Sequence, residues 1–173
     1  LSNDGPPDMW IEPLVPSHAL DYRALMLEAY DLHPQAFTSS VRERAAMPLS
    51  WWESRLSSPL DVVLGAFEDG KLAGIVGLAF DPREKAGHKA TLFGMYVCGE
   101  VRQRGLGFQL VQAALTEARA HPRLRLIQLT VTAGNAAAFN LYQRCGFIQY
   151  GLEPLAVRVG EDYFDKIHMW REV

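Results

Sequence analysis

The segment Val101-Arg102-Gln103-Arg104-Gly105-Leu106-Gly107-Phe108 decides how the chain is read, because it joins a strand pattern to a helix pattern. Residues 90–98 before it are rich in β-branched and aromatic side chains, as in a long strand. Residues 105–120 carry Leu106, Leu110, Val111, Ala114 and Ala118 as an apolar stripe at helical spacing, and His121-Pro122 stops that helix. The first turn of a helix has backbone N–H groups without partners and the positive end of the dipole, and a phosphate satisfies both. Gly105 and Gly107 allow a close approach of backbone to an anion, and Arg102 and Arg104 add positive charge. Read alone, the segment is equally a glycine-eased turn with two solvated arginines. It is not a dinucleotide fingerprint, since Leu110 stands where the third glycine belongs, nor a P-loop, since Gly-Lys-Ser/Thr is missing.

Working outward, residues 124–131 read as the next strand, which makes strand–helix–strand a right-handed crossover with parallel neighbours. A helix over 135–144, a strand over 147–152 and a last strand over 163–171 follow. Toward the N-terminus, Asp69-Gly70 separates strand patterns over 61–68 and 71–80, a strong hairpin signal. The stretch from Ala36 to Leu56 reads as one or two short helices. His33-Pro34 ends a preceding helix that Ser17 caps and whose core face is Leu20, Ala24 and Leu27. A short strand over 10–15 opens the fold. The fold class is α/β with a mixed sheet and helices on both faces. The domain reading is a flexible arm over 1–9 and one domain over 10–173.

Within the helix over 135–144, Asn135, Ala138 and Tyr142 lie at i, i+3 and i+7, on one face. They offer an amide, a small gap and a phenol; an amide can hydrogen-bond an extended ligand and a phenol can protonate a leaving group. Singly, Asn135 also reads as a helix N-cap and Tyr142 as a core aromatic.

Composition narrows the function classes. The chain has 173 residues, 49% hydrophobic and 21% charged, an ordinary globular balance. A net charge of −3 supplies no basic field for nucleic acid. No apolar run approaches the roughly 20 residues of a membrane span. Cys98 and Cys145 match neither a metal nor a disulfide framework, so we expect no metal and a cytoplasmic, reducing setting.

Taken together, Arg102-Gln103-Arg104-Gly105-Leu106-Gly107 after a Met95-Tyr96-Val97 strand ending, and Asn135, Ala138, Tyr142, Gly146 and Phe147 in the order Asn-x-x-Ala-x-x-x-Tyr-x-x-x-Gly-Phe, resemble the GNAT N-acetyltransferases. Tyr163 to Met169 resembles that family's closing strand. The resemblance implies a mostly antiparallel sheet with one parallel pair splayed apart, and acetyl-CoA lying in the splay. It implies that backbone groups of Met95, Tyr96 and Val97 meet the pantetheine arm. Residues from Gln103 to Phe108, with Arg102 beside them, hold the pyrophosphate: Gln103, Arg104, Gly105, Leu106, Gly107 and Phe108. Asn135 binds the arm or caps its helix, and Tyr142 protonates the departing thiolate. The expected reaction is direct attack of a primary amine, of a small molecule or a peptide, on the thioester. A rival reading is a non-catalytic acyl-CoA sensor or partner subunit of the same fold. Homodimers are common in the family, so a homodimer is a further expectation.

One part of the family pattern is missing. Some members carry a glutamate base on a splayed strand; here residues 90–98 contain no carboxylate and Thr130 stands at the corresponding place. Glu28, Glu43, His33 and His168 are the remaining candidates, and none is assigned as base. A lysine-type amine, at a pKa near 10.4, is neutral in only about one molecule in 2,500 at pH 7, so such a substrate needs a base more than an α-amine does. Trp51 and Trp52 are candidates for lining an acceptor pocket, with core packing the stronger reading for at least one of them, and Cys98 reads as a small strand-end residue rather than a nucleophile.

Overall fold

The computed structural model describes residues 8–99 and 105–173. Its strands are β1 (Met9–Pro13), β2 (Asp61–Glu68), β3 (Lys71–Phe80), β4 (Lys89–Val97), β5 (Leu126–Thr132), β6 (Ile148–Val159) and β7 (Asp162–Glu172). Its helices are α1 (Ala19–Leu32), α2 (Val41–Ala45), α3 (Leu49–Ser57), α4 (Leu106–Arg119) and α5 (Ala136–Arg144). The strands form one sheet in the order β1-β2-β3-β4-β5-β7-β6. Every neighbouring pair is antiparallel except β4 with β5. This is the mixed sheet that the strand–helix–strand pattern requires.

Both faces of the sheet are covered, which is why the central strands read as nearly unbroken apolar runs. Leu64, Ala66, Val76 and Leu78 point to the side where Leu106, Leu110, Val111 and Leu115 of α4 pack. Val63, Phe67 and Ile75 point to the other side, against Tyr22, Met26 and Ala29 of α1 and Trp52 of α3. At the β2–β3 hairpin, Asp69 and Gly70 have φ of 50° and 81°, the left-handed pair that the Asp-Gly signal demands.

Two features open the site. The β4–β5 ladder runs only from Lys89–Leu126 to Thr91–Gln128 and then the strands part. In the same stretch β4 carries a bulge: Gly77 faces Phe93 and Ile75 faces Tyr96, so Val76 stands opposite both Gly94 and Met95. Gly94 takes φ of 59°, a conformation glycine adopts without a Cβ clash. A glycine inside a strand pattern is a bulge signal, and the sequence reading treated the strand as regular.

Several sequence-based expectations are corrected. The buried face of α1 is Tyr22, Leu25, Met26, Ala29 and Tyr30, while Leu20 is 66% exposed and Ala24 is also exposed. The stripe runs through tyrosines, and a count of aliphatic residues alone rotates the face. Ser17 does not cap the helix; a 3-10 turn over Pro16–His18 precedes it, and the His18 ring accepts a hydrogen bond from Val15 N–H through Nδ1 at 3.0 Å. β6 extends to Val159 rather than ending at 152, continuing past Pro154 through an irregularity between Glu153 and Val157. That irregularity, with Leu155 at φ of 51°, lets the strand pass a residue that cannot donate to a ladder. β5 starts at Leu126 rather than 124. β1 begins at Met9, inside the expected arm, and residues 1–7 of that arm lie outside the described residues.

Candidate active site

The parting of β4 from β5 leaves two adjoining cavities. One, of about 680 Å³, runs from the start of α4 to α5 and is lined by Met95, Tyr96, Val97, Gly105, Gly107, Phe108 and Asn135, among others. The other, of about 340 Å³, lies beneath α1–α3 and is lined by Tyr22, Tyr30, Arg44, Arg55, Phe93, Thr130, Tyr142 and Lys166, among others. Met95, Asn135, Ala138 and Leu141 belong to both walls, so the two cavities meet at α5.

At the α4 start each glycine has its own reason. Gly105 is the residue before the helix, at φ of 74°, and a Cβ there would meet nothing within 4 Å; backbone conformation demands the glycine. Gly107 needs space instead: a Cβ would lie 3.2 Å from Leu141 Cδ2 and 3.3 Å from Met95 Cε, the shared wall of the two cavities. Among the described residues, the first bond of this helical turn runs from Gln109 N–H to the Gly105 carbonyl at 3.1 Å. The N–H groups of Leu106, Gly107 and Phe108 therefore precede the helical ladder. Leu106 itself is fully buried under the sheet, so any ligand meets its backbone and not its side chain. Arg102, Gln103 and Arg104 lie outside the described residues.

The α5 face forms as its spacing requires. Asn135, Ala138 and Tyr142 all line the smaller cavity. Asn135 is also the N-cap: its Oδ1 accepts from Ala138 N–H at 3.2 Å, which leaves its amide nitrogen as the group able to donate to a ligand. Tyr142 is 6% exposed, and its ring meets Phe147 edge-on at 5.9 Å. Gly146, at φ of 88°, ends the helix so that Phe147 can drop into the core against that ring. Arg171 closes the turn by donating from Nη1 to the Cys145 carbonyl at 2.7 Å. Burial pushes the Tyr142 phenol up from its ordinary value, and nearby Cys145 adds to the shift. It therefore keeps its proton through the neutral range, the state a proton donor needs.

The base candidates separate. Glu43 belongs to a capping box, accepting from Ser40 N–H at 3.1 Å while Ser40 Oγ accepts from Glu43 N–H at 3.1 Å. Glu28 Oε2 accepts from the Tyr96 hydroxyl at 2.8 Å. His168 lies 3.0 Å from Glu153 and lines neither cavity. His33 borders the larger cavity. No Asp or Glu is among the described residues lining either cavity. Cys98 lines neither.

Of the two tryptophans, core packing holds and pocket lining does not. Trp52 is 1% exposed and packs edge-on against Tyr22 at 5.5 Å, and Trp51 lines neither cavity. The residues that do wall the smaller cavity, Tyr22, Tyr30, Arg44, Arg55, Phe93 and Lys166, were not selected from sequence. The one available signal was the i, i+4, i+8 spacing of Tyr22, Met26 and Tyr30.

Tyr22 gives a stability test. Burial pushes its phenol up to about 12, against the opposing pull of Arg55. An unfolded tyrosine ionises near 10, so this contribution is complete below about pH 10 and is lost as pH rises toward 12, since only the unfolded chain ionises in that window. Denaturant titrations of the wild type should lose roughly 2–3 kcal/mol across that window from Tyr22. Tyr22→Phe should remove that part of the slope; an unchanged alkaline slope would refute the assignment.

Comparison with known proteins agrees with this geometry. A model of the acetyltransferase (GNAT) family matches residues 26–147. An L-methionine sulfoximine/L-methionine sulfone acetyltransferase of Pseudomonas aeruginosa is 30% identical over 115 residues, 66% of this chain. The match spans 64% of that relative's length. The L-amino acid N-acetyltransferase AaaT of Escherichia coli is 27% identical over 152 residues, 87% of this chain and 91% of its own. Among solved structures, an acetyltransferase of Streptococcus pneumoniae superposes with a TM-score of 0.79 at 28% identity, covering 96% of this chain and 100% of its own. The yncA protein of Salmonella typhimurium, solved with acetyl-CoA, has a TM-score of 0.79 at 20% identity over 95% and 94% of the two chains, a likeness of fold.

Proposed function

The chain belongs to the acetyltransferase (GNAT) family, and from that premise we propose that it transfers an acetyl group from acetyl-CoA to a primary amine of a small molecule or peptide. The observation that carries the reading is the junction of the two cavities at Met95, Ala138 and Leu141, with Tyr142 on the wall of the smaller one, where a long cofactor on one side and an acceptor on the other can meet. The acting unit is one domain over residues 10–173.

In this reading the larger cavity takes the cofactor. The N–H groups at the start of α4 hold its pyrophosphate, with Arg102, Gln103 and Arg104 in the preceding loop. Backbone along Met95, Tyr96 and Val97 accompanies the pantetheine arm, and Asn135 donates to it. When bound, acetyl-CoA supplies the activated thioester carbonyl. The acceptor's neutral amine attacks that carbonyl, and the C–S bond breaks as the C–N bond forms. Tyr142 gives its phenolic proton to the departing sulfur and regains a proton from the new ammonium through solvent. A bare thiolate is disfavoured in the same low-dielectric surroundings, so the sulfur needs a proton as the C–S bond breaks. With no carboxylate among the described residues of the cavity walls, the amine loses its proton to water, which suits an amine of moderate basicity. Both named relatives act on amino acid substrates, and this class is the first to screen.

Titration calorimetry with acetyl-CoA, against ATP and dephospho-CoA, tests the cofactor half. Acetyl-CoA is expected to bind well above ATP. No binding by a folded sample would remove the reading. Binding without turnover of any amine would leave only a sensor.

A further inference from the structure

We propose that the acceptor cavity selects amines that also carry a carboxylate, anchored by Arg44 and Arg55; this rests on the acetyl-transfer reading above. The cavity wall holds three cationic side chains, Arg44, Arg55 and Lys166, and no described Asp or Glu. Among the described residues neither arginine forms an ion pair. Arg44 Nε is buried with no hydrogen-bond partner among the described residues. Both arginines are half-buried, a guanidinium partly removed from water is costly unless an anion meets it, and here two share one small cavity.

What holds the arginines is aromatic rather than acidic. Arg44 Cζ lies 4.5 Å over the Trp51 ring. Arg55 Cζ lies 5.2 Å from Trp51 and 5.0 Å from Phe93. Stacking on rings fixes a guanidinium without neutralising it. Tyr30 lies within the field of both arginines, which opposes the upward push of burial on its phenol. Asp61 is felt at Tyr22, yet it does not line the cavity and pairs with neither arginine. Lys166 is already engaged, donating to Thr38 Oγ1, and adds field rather than a free donor.

The missing anion is thus the ligand's. A carboxylate matches the forked, planar donors of a guanidinium. Tyr142, Leu141 and Met95 belong to the same cavity wall, and Leu141 and Met95 also border the cofactor cavity. An acceptor anchored by its carboxylate can therefore present its amine toward the proposed thioester position.

The test uses pairs of acceptors that differ in the carboxylate: L-leucine with isoamylamine, L-phenylalanine with phenethylamine, and L-methionine sulfone with its methyl ester. The ester's amine is the less basic of its pair, so amine basicity works against the expected preference. Expected is a kcat/KM preference of at least about tenfold for the free acids. Arg44→Met and Arg55→Met should each collapse that preference through KM, with folding read from retained acetyl-CoA affinity. Arg55→Lys, which keeps the charge but loses the fork, serves where Met unfolds the protein and should recover only part of the preference. Equal or better turnover of the uncharged partners would overturn the carboxylate site and leave acetyl transfer intact. Should no amine turn over, N-acetyl-L-phenylalanine and N-acetylphenethylamine are titrated calorimetrically into the protein with CoA. Binding of the acid alone, lost in Arg55→Met, supports the site and overturns only the transfer reading. Equal binding, or none, overturns the site.

Discussion

Tyr142→Phe is expected to lower kcat about a hundredfold while acetyl-CoA affinity stays within about twofold. The hydroxyl is the only group lost, and the ring's contact with Phe147 and its place in the core survive. The deficit should therefore appear in the chemical step and not in folding or cofactor binding. Burial holds this phenol's pKa above the ordinary tyrosine value, so the wild-type rate should show no alkaline fall from Tyr142 below about pH 10. A single-turnover rate unchanged in the variant would take Tyr142 out of the proton-donor role.

Gly107→Val is expected to weaken acetyl-CoA about a hundredfold, with a melting temperature close to wild type. The Cβ alone would lie 3.2 Å from Leu141 Cδ2 and 3.3 Å from Met95 Cε. Those are flexible side-chain ends, and Gly107→Ala should be tolerated with a loss of a fewfold at most. A branched Cβ adds two methyl groups at a position that lines the cofactor cavity, and the cofactor must withdraw from the helix start. Charge-assisted hydrogen bonds contribute roughly 1.5–3 kcal/mol each, and losing one or two accounts for the hundredfold. The substitution acts by crowding Met95 and Leu141 as well as by standing in front of an anion. Normal calorimetric affinity in the folded Val variant would place the pyrophosphate elsewhere.

Where the sequence was legible, the signal was local. Asp69-Gly70 needed positive φ at both residues, and both have it. The stripe from Leu106 to Ala118 could be buried on one side only, and it lies buried beneath the sheet. Asn135 caps the helix whose other turns bring Ala138 and Tyr142 to the same cavity. The face of α1 was misread because Tyr22 and Tyr30 were not counted as core residues, though both are buried. The β6 extension was missed because Pro154 is a poor strand residue, and only pairing with β7 carries the strand past it.

By itself the sequence determined the order of strands and helices, the parallel crossover around α4, the glycine-bearing helix start and the single face of α5. Each rests on hydrogen-bond geometry and side-chain periodicity among near neighbours in the chain. Tertiary structure alone decided how far β4 and β5 stay paired, where the bulge at Gly94 bends the sheet, and which residues wall the acceptor cavity. Arg44 comes from α2, Arg55 from α3, Tyr22 and Tyr30 from α1, and Lys166 from β7. Nothing in the spacing of these residues marks them as one group, because a cavity wall is set by contacts between elements distant in sequence.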